Sequence, residues 1–331
     1  MKEAEIRPQA LFDRYLELSR EDIEIFFSDQ SGFVDVPCPA CLSDKNTEAF
    51  RKLGFRYVTC DDCLSLFLTP RPTEKMQAAY ARESKAGEFW STHFYRETAE
   101  ARREKIFAPR ARIVQEFMRR SPEARVFADV GSGYGIFLEE IKKLDLFSSI
   151  VGIEPSPGLA AACREKGFNV VEKVVEDVDG KQIQADLVTA FEVLEHVFDP
   201  ERFLRACGSV VRPGGLLLFT TLTISGFDLQ VLWNHSKSIY PPHHINLMSV
   251  EGMRVLMQRC GLELIEVSTP GKLDVDIVAG ALRSDPPPPV PRFVRSILSQ
   301  PQAILDDFQS FLQRSLLSSH IRVLARRADP S

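Results

Sequence analysis

A basic excess is what this sequence most plainly lacks. Its 41 Lys and Arg are outnumbered by 46 Asp and Glu, for a formal net charge of −5. A generic nucleic-acid binder carries a positive surplus, so this balance argues against that class while leaving room for a local basic site. Cysteine is sparse as well. Seven in 331 residues do not make a disulfide-dense secreted scaffold, and the usage suits a reducing compartment. Long apolar runs are missing: a stretch such as Gly215–Phe219 falls far below the ~20 residues that span a bilayer. Met1-Lys-Glu-Ala-Glu5 has no basic region leading into an apolar core, so no secretory signal is expected. No internal repeat is visible. The expectation is a soluble cytoplasmic protein of one large or two ordinary domains.

What is present falls into four segments. Residues 1–33 have helical spacing, with Leu11, Tyr15, Leu18, Ile23, Ile25 and Phe26 as apolar positions, and Ser19 followed by Asp22 reads as the start of a second helix. Residues 34–72 are short and strand-like, and end in the linker Thr69-Pro-Arg-Pro-Thr73. Residues 73–120 are Arg-, Glu- and Ala-rich helices, interrupted by Trp90, His93, Phe94, Tyr95 and Arg96. This cluster reads either as a helix packing on the core or as a substrate lid. Arg102, Arg103, Lys105, Arg110 and Arg112 follow as a solvated face that could meet a diphosphate. From 121 to 331 strands alternate with helices. Strands are expected at 126–130, 149–153, 168–172, 186–191, 215–221, 262–268 and near 319–326, and the segment 270–317 reads as an insertion before the last of them. The alternation implies an α/β, doubly wound, Rossmann-like sheet.

Four of the cysteines form two knuckles, Cys38-Pro-Ala-Cys41 and Cys60-Asp-Asp-Cys63, eighteen residues apart. A thiolate tetrad at this spacing holds one tetrahedral Zn2+, each knuckle presenting two sulfurs. All four sulfurs are then used, so the metal is structural and has no open catalytic position. It stabilises a module too small to build its own core.

The second constellation is a strand, a glycine turn and a downstream acid: Val126-Phe-Ala-Asp129-Val-Gly131-Ser132-Gly133-Tyr134-Gly135, then Val151-Gly-Ile-Glu154-Pro155. Glycines there let the backbone approach a ligand closely, and Glu154 ends the second strand, where an acid grips ribose hydroxyls. Asp129 would repel a pyrophosphate but welcome a cofactor that carries an ammonium and a sulfonium.

These motifs resemble those of the class I S-adenosylmethionine-dependent methyltransferases. Asp186-Leu-Val-Thr-Ala-Phe191-Glu192-Val-Leu-Glu195-His196 and Val211-Arg-Pro213-Gly214-Gly215 extend the resemblance over residues 125–268 and the final strand. It implies a seven-stranded sheet with an antiparallel last strand. It also implies S-adenosylmethionine as cofactor, with Gly131, Gly133 and Gly135 lining the methionine, Glu154 on the ribose, Val175 and Glu176 beside adenine, and Phe191 and Glu192 at the methionine end. With its front ribbon the chain resembles bacterial methyltransferases that modify sugars and polysaccharides, among them sugar C-methyltransferases acting on nucleotide-linked deoxysugars. Those carry a Tyr-His-Glu-His motif after the fifth strand. Here Tyr240-Pro-Pro-His243-His244 matches at the final His, places His243 where the Glu belongs and offsets Tyr240 by one.

A hydroxyl or carbon-acid acceptor needs a base, and His titrates in the right range. His244 is the first candidate and His243 the second, with Tyr240 orienting the acceptor; His196, in the Leu-Glu-His turn, is expected to shape the pocket. The bland reading of the His pair is backbone hydrogen bonding in a turn. The expected activity is methyl transfer to a small-molecule acceptor, a nucleotide-linked sugar or polysaccharide precursor. The alternatives are a zinc-ribbon RNA methyltransferase, against which the mixed charge of residues 34–69 speaks, and a non-catalytic binding protein.

Overall fold

The computed structural model describes residues 2–119, 123 and 125–328. The expected segment boundary between 120 and 121 lies outside the described residues, as do residue 1 and residues 329–331.

Near the N-terminus three short strands, β1 (Asn46–Lys52), β2 (Phe55–Cys60) and β3 (Leu66–Leu68), form an antiparallel ribbon. The main sheet is built from β4 (Val126–Val130), β5 (Ser149–Ile153), β6 (Asn169–Val171), β7 (Ala185–Phe191) and β8 (Val211–Leu222). A two-residue strand, β9 (Asn246–Leu247), precedes the final pair, β10 (Leu262–Ser268) and β11 (His320–Arg327). The seven-stranded order is β10-β11-β8-β7-β4-β5-β6, with β11 antiparallel to both neighbours and β4 to β8 parallel. β9 does not belong to that sheet. It pairs with β3 and makes the ribbon four-stranded.

β7 is buried along nearly its whole length, as a central parallel strand covered on both faces must be. Its alternate residues feed two cores. Val188 and Ala190 join Phe203, Leu204, Met253 and Leu256 on one face, while Leu187 joins Val114, Met118, Phe137 and Ile141 on the other. The ribbon is continuous with the first of these, since Cys38, Val58, Cys60 and Phe67 pack in the same cluster. Three helices, Asp274–Ala281, Arg292–Leu298 and Gln302–Arg314, fill the segment between β10 and β11.

Two sequence expectations give way, and of the two readings of the aromatic cluster the core reading holds at its centre. After a short helix, Glu3–Ile6, the chain runs as one continuous helix, Gln9–Phe27, with no new start at Ser19. Ser19 donates back to the Tyr15 carbonyl (2.9 Å), and the buried Asp22 carboxylate caps a different helix, accepting from Ser84 Oγ (2.8 Å) and Ala86 N (2.9 Å). The middle of the aromatic cluster is core: Phe94 is fully buried and stacks on Trp90 at 4.1 Å, and the Arg102 guanidinium lies over Trp90, Phe94 and Tyr95. Of the cations after it Arg112 is exposed, but the others are not a free solvated face. Arg103 bonds Glu139 and Glu140, Lys105 bonds Glu5, and Arg110 bonds Glu192, because nearby carboxylates offer a stronger partner than water.

Candidate functional site

Each knuckle closes on itself in the same way. The Leu42 amide returns to the Cys38 carbonyl (2.8 Å) and the Leu64 amide to the Cys60 carbonyl (3.0 Å), with both leucines in the left-handed region at φ 63° and 61°. A leucine there costs about 1–2 kcal/mol, yet the turn needs it to aim two sulfurs at one point. Cys38 and Cys63 sulfurs lie 3.5 Å apart, as do those of Cys41 and Cys60, and all four are within 4.8 Å of one another. Ligands about 2.3 Å from a tetrahedral zinc are roughly 3.8 Å apart, so the donor set and its dimensions fit Zn2+. Hydrogen bonding raises the Cys38 thiol and lowers its partner Cys63, and burial raises Cys41.

The parallel strands end at the opposite side of the molecule from their starts. There lie the turn after β4, the acid after β5, and the loops after β7 and β8, the edge at which open α/β sheets place ligands. Gly131, Gly133 and Gly135 are all left-handed, at φ 75°, 54° and 71°. A methyl group on Gly131 would meet Val193 at 2.8 Å and one on Gly135 would meet the Cys163 sulfur at 2.9 Å, whereas Gly133 faces open space. That opening is where a ligand can lie against the backbone. Ser132 is buried and donates to the Asp129 carbonyl, while Tyr134 stacks on Tyr95 and donates to the Ser91 carbonyl.

Two buried acids flank this turn. Asp129 accepts from Thr189 Oγ1 at 2.6 Å, and burial pushes its carboxyl up to about 7, partly offset by that bond and by Arg110. Glu154 accepts from the Gly133 amide (2.8 Å) and the Ser156 amide (3.0 Å), and burial raises its pKa too. Pro155 beside it is exposed. Val175 and Glu176 sit on the short turn Val175–Asp177, the first buried and the second raised in pKa by partial burial.

Phe191 packs on Phe137 with Arg110 over its ring at 4.5 Å. Glu192, left-handed at φ 56°, bonds Arg110 (2.7 Å), Thr220 Oγ1 (2.6 Å) and His320 Nδ1 (3.2 Å). Burial would raise its pKa, but the His320 and Arg110 charges outweigh burial and hold it low, and Glu192 in turn raises His320. Sequence reading passed over His320, whose only signal is a histidine at the start of the last strand.

The loop after β8 carries the histidines. Tyr240 is buried and donates to the Leu16 carbonyl (3.2 Å), so it anchors the loop to the N-terminal helix. His243 Nε2 lies 2.7 Å from Tyr80 Oη, and burial, then His196, pushes its pKa down to about 3. His244 Nδ1 lies 2.5 Å from the Ser238 carbonyl. A carbonyl only accepts, so Nδ1 carries the proton and Nε2 keeps its lone pair. Burial holds His244 well below its usual range, hence neutral. His196 is exposed, bonds the His243 carbonyl through Nδ1 (2.9 Å), and its ring lies 4.9 Å from that of His244. Ligand atoms of Glu195, His196 and His244 lie within 4.8 Å of one another. The loop therefore brings His244 and His196 together with Glu195 and spends Tyr240 and His243 on holding itself in place.

The chain is similar to known methyltransferases. A family model described as a methyltransferase domain matches residues 98–267, just over half of the chain. A ubiquinone biosynthesis O-methyltransferase of Xanthomonas axonopodis pv. citri is 34% identical over 158 residues, 44% of this chain and 65% of that protein. One from Escherichia coli is 38% identical over 103 residues, 30% of this chain and 43% of that protein. The chain thus spans less than two thirds of the length of these relatives. Among solved structures, a SAM dependent methyltransferase from Archaeoglobus fulgidus has 17% identity and a TM-score of 0.47 over 70% of this chain and 99% of that one. By its strand order, its glycine turn and the match across its central half, this chain belongs to the methyltransferase-domain family.

Proposed function

We propose that the chain transfers the methyl group of S-adenosylmethionine to a hydroxyl oxygen of a small-molecule acceptor. One observation carries the reading: the glycine turn with its two buried acids and the loops after β7 and β8, which bring His244 together with Glu195 and His196, all stand at the carboxyl ends of the parallel strands. Gly131, Ser132, Gly133, Tyr134 and Gly135 would hold the methionine portion, with Asp129, Phe191 and Glu192 bordering it. Glu154 and Pro155 would serve the ribose, and Val175 and Glu176 the adenine. When bound, the cofactor supplies an electrophilic methyl group on a sulfonium.

The chain's own part is to position the acceptor, keep water out and take a proton. His244 Nδ1–H is committed to Ser238, so Nε2 is the basic atom. Burial raises the pKa of the nearby Glu195; in its ionised form it would favour the imidazolium that forms as that nitrogen gains the acceptor's proton. His196 is exposed and can pass the proton on to solvent.

The names of the relatives, O-methyltransferases, support oxygen as the acceptor atom. The nucleotide-sugar expectation draws no comparable support: the relatives bear another name, and Arg103, Lys105 and Arg110, expected to meet a diphosphate, are bonded to the chain's own carboxylates. The close approach of Glu195, His196 and His244 favours a second reading, a divalent cation on these three groups that binds the acceptor oxygen.

The test follows cofactor consumption with hydroxylated small molecules, nucleotide sugars and RNA as acceptors. His244→Ala should lower turnover ~10²–10⁴-fold with cofactor affinity nearly unchanged. Near-normal turnover in that variant removes the base assignment, and turnover with RNA alone removes the acceptor class. Activity lost to a chelator and restored by Mg2+ alone, an ion that a thiolate tetrad does not favour, selects the second reading.

A further inference from the structure

The cysteine ribbon and the histidine loop are parts of one sheet. β9 belongs to the histidine loop and pairs with β3 through Leu66↔Leu247 and Phe67↔Asn246. Just before it, the Leu68 amide donates to the Ile245 carbonyl at 3.0 Å, and the fully buried Tyr57 donates its hydroxyl to the His244 carbonyl at 2.7 Å. Just after it, the Ser249 amide donates to Ser65 Oγ at 3.0 Å, and Ser249 Oγ donates to the carbonyl of Cys63. Ser65 is itself 3.3 Å from the Cys63 sulfur. A side chain of the cysteine tetrad is therefore two hydrogen bonds from the end of the loop, and the ribbon strands β2 and β3 hold both backbone carbonyls at His244 and Ile245.

The cofactor side has no such tie. Among the described residues the ribbon, 34–69, makes no hydrogen bond to Gly131–Gly135 or to Glu154, whose partners come from the main sheet and its own turns.

We propose that the zinc ribbon is a positioning element of the acceptor-side loop, acting alongside the Glu195 carbonyl that accepts from the Ile245 and Asn246 amides: metal bound at Cys38, Cys41, Cys60 and Cys63 steadies the loop that carries His243 and His244, and leaves the cofactor site to the main sheet. Tyr57, Ser65 and Ser249 are the positioning residues. The thiolates touch neither reactant and act only through β2, β3 and the hydrogen bonds just described. The effect on turnover rests on His244 serving as the base, whereas the order of the loop is measurable without any acceptor.

The experiment uses the full chain and three readouts: metal content, cofactor affinity by calorimetry, and amide hydrogen exchange over residues 240–249. Stripping the zinc should raise exchange in that segment at least tenfold while cofactor affinity stays within twofold. Because removal of a ligand cysteine could unfold the chain, Tyr57→Phe and Ser249→Ala are tested with zinc retained. Each should speed exchange at residues 244–247 and raise the acceptor KM more than it changes cofactor binding. Unchanged protection of the loop after metal removal overturns the proposal. So does cofactor affinity that falls in step with loop protection, since the metal would then support the whole molecule. Normal exchange in both zinc-bound variants overturns it as well. If the loop loosens as expected but turnover does not follow, the ribbon proposal stands and the base assignment fails.

Discussion

Asp129 should make cofactor affinity depend on pH. Its carboxyl is buried at the foot of the glycine turn, and that burial lifts it from an ordinary value of 3.8 to about 7. A cationic cofactor beside it favours the ionised form, so binding returns the group toward the carboxylate range and releases a proton. Affinity then follows the fraction of empty protein already ionised. For a pKa of about 7, that fraction rises roughly tenfold between pH 6 and pH 8, equivalent to ~1.4 kcal/mol. Calorimetry at pH 6, 7 and 8, in two buffers of different ionisation enthalpy, measures both the change in Kd and the protons released. Asp129→Asn preserves the shape and can still accept from Thr189; it should flatten the profile. The cofactor's own amine titrates alike with both proteins and cancels in the comparison. An equally steep profile in the Asn variant, or proton uptake on binding, would refute the reasoning.

Glu154→Gln should weaken cofactor binding through loss of charged hydrogen bonds, each worth ~1–3 kcal/mol, and unchanged calorimetric affinity would remove Glu154 from the ribose site. Metal analysis should find one zinc per chain, and Cys60→Ser should lower both metal content and thermal stability; a Cys38–Cys41 disulfide without metal would contradict the tetrad. Asp228 is fully buried, and burial, then the Asp274 charge, pushes it up to about 8. The folded chain thus keeps a proton that the unfolded chain has already lost, so stability should fall as pH rises from ~4 to ~8. Asp228→Asn should flatten that fall in urea midpoints, and a slope as steep as in the unsubstituted chain would show that the pair is not its source.

The central strands of the main sheet, such as β4, were legible as short apolar runs bounded by turn residues, and the glycines of 131–135 stand at positive φ, whereas β8 begins at Val211, four residues before the expected 215. The thiolate tetrad was legible from spacing alone. Contacts between distant segments were not. Asp22 has the spacing of a helix start, but its carboxylate caps a helix 62 residues further along, which no local pattern encodes. Arg110, Glu192 and His320 meet across more than 200 residues of chain, and only the antiparallel return of β11 beside β8 brings them together. The histidine loop was half legible. Its residue types suggest proton chemistry, yet which ring stays available depends on partners, Tyr80 for His243 and Ser238 for His244, that sequence does not reveal.

The last strand of the ribbon sheet comes from residues 246–247, and this sets an order on the chain's synthesis. Cysteines that leave the ribosome early can gather a metal ion at once, but the edge of β3, with Leu66, Phe67 and Leu68 all buried in the finished protein, stays uncovered until almost 180 more residues have been made. An open apolar edge is a template for pairing with other chains. An excised ribbon should therefore be sticky even when loaded with zinc, and a domain swap that carries the cysteines into another enzyme would have to bring the distant two-residue strand along with them.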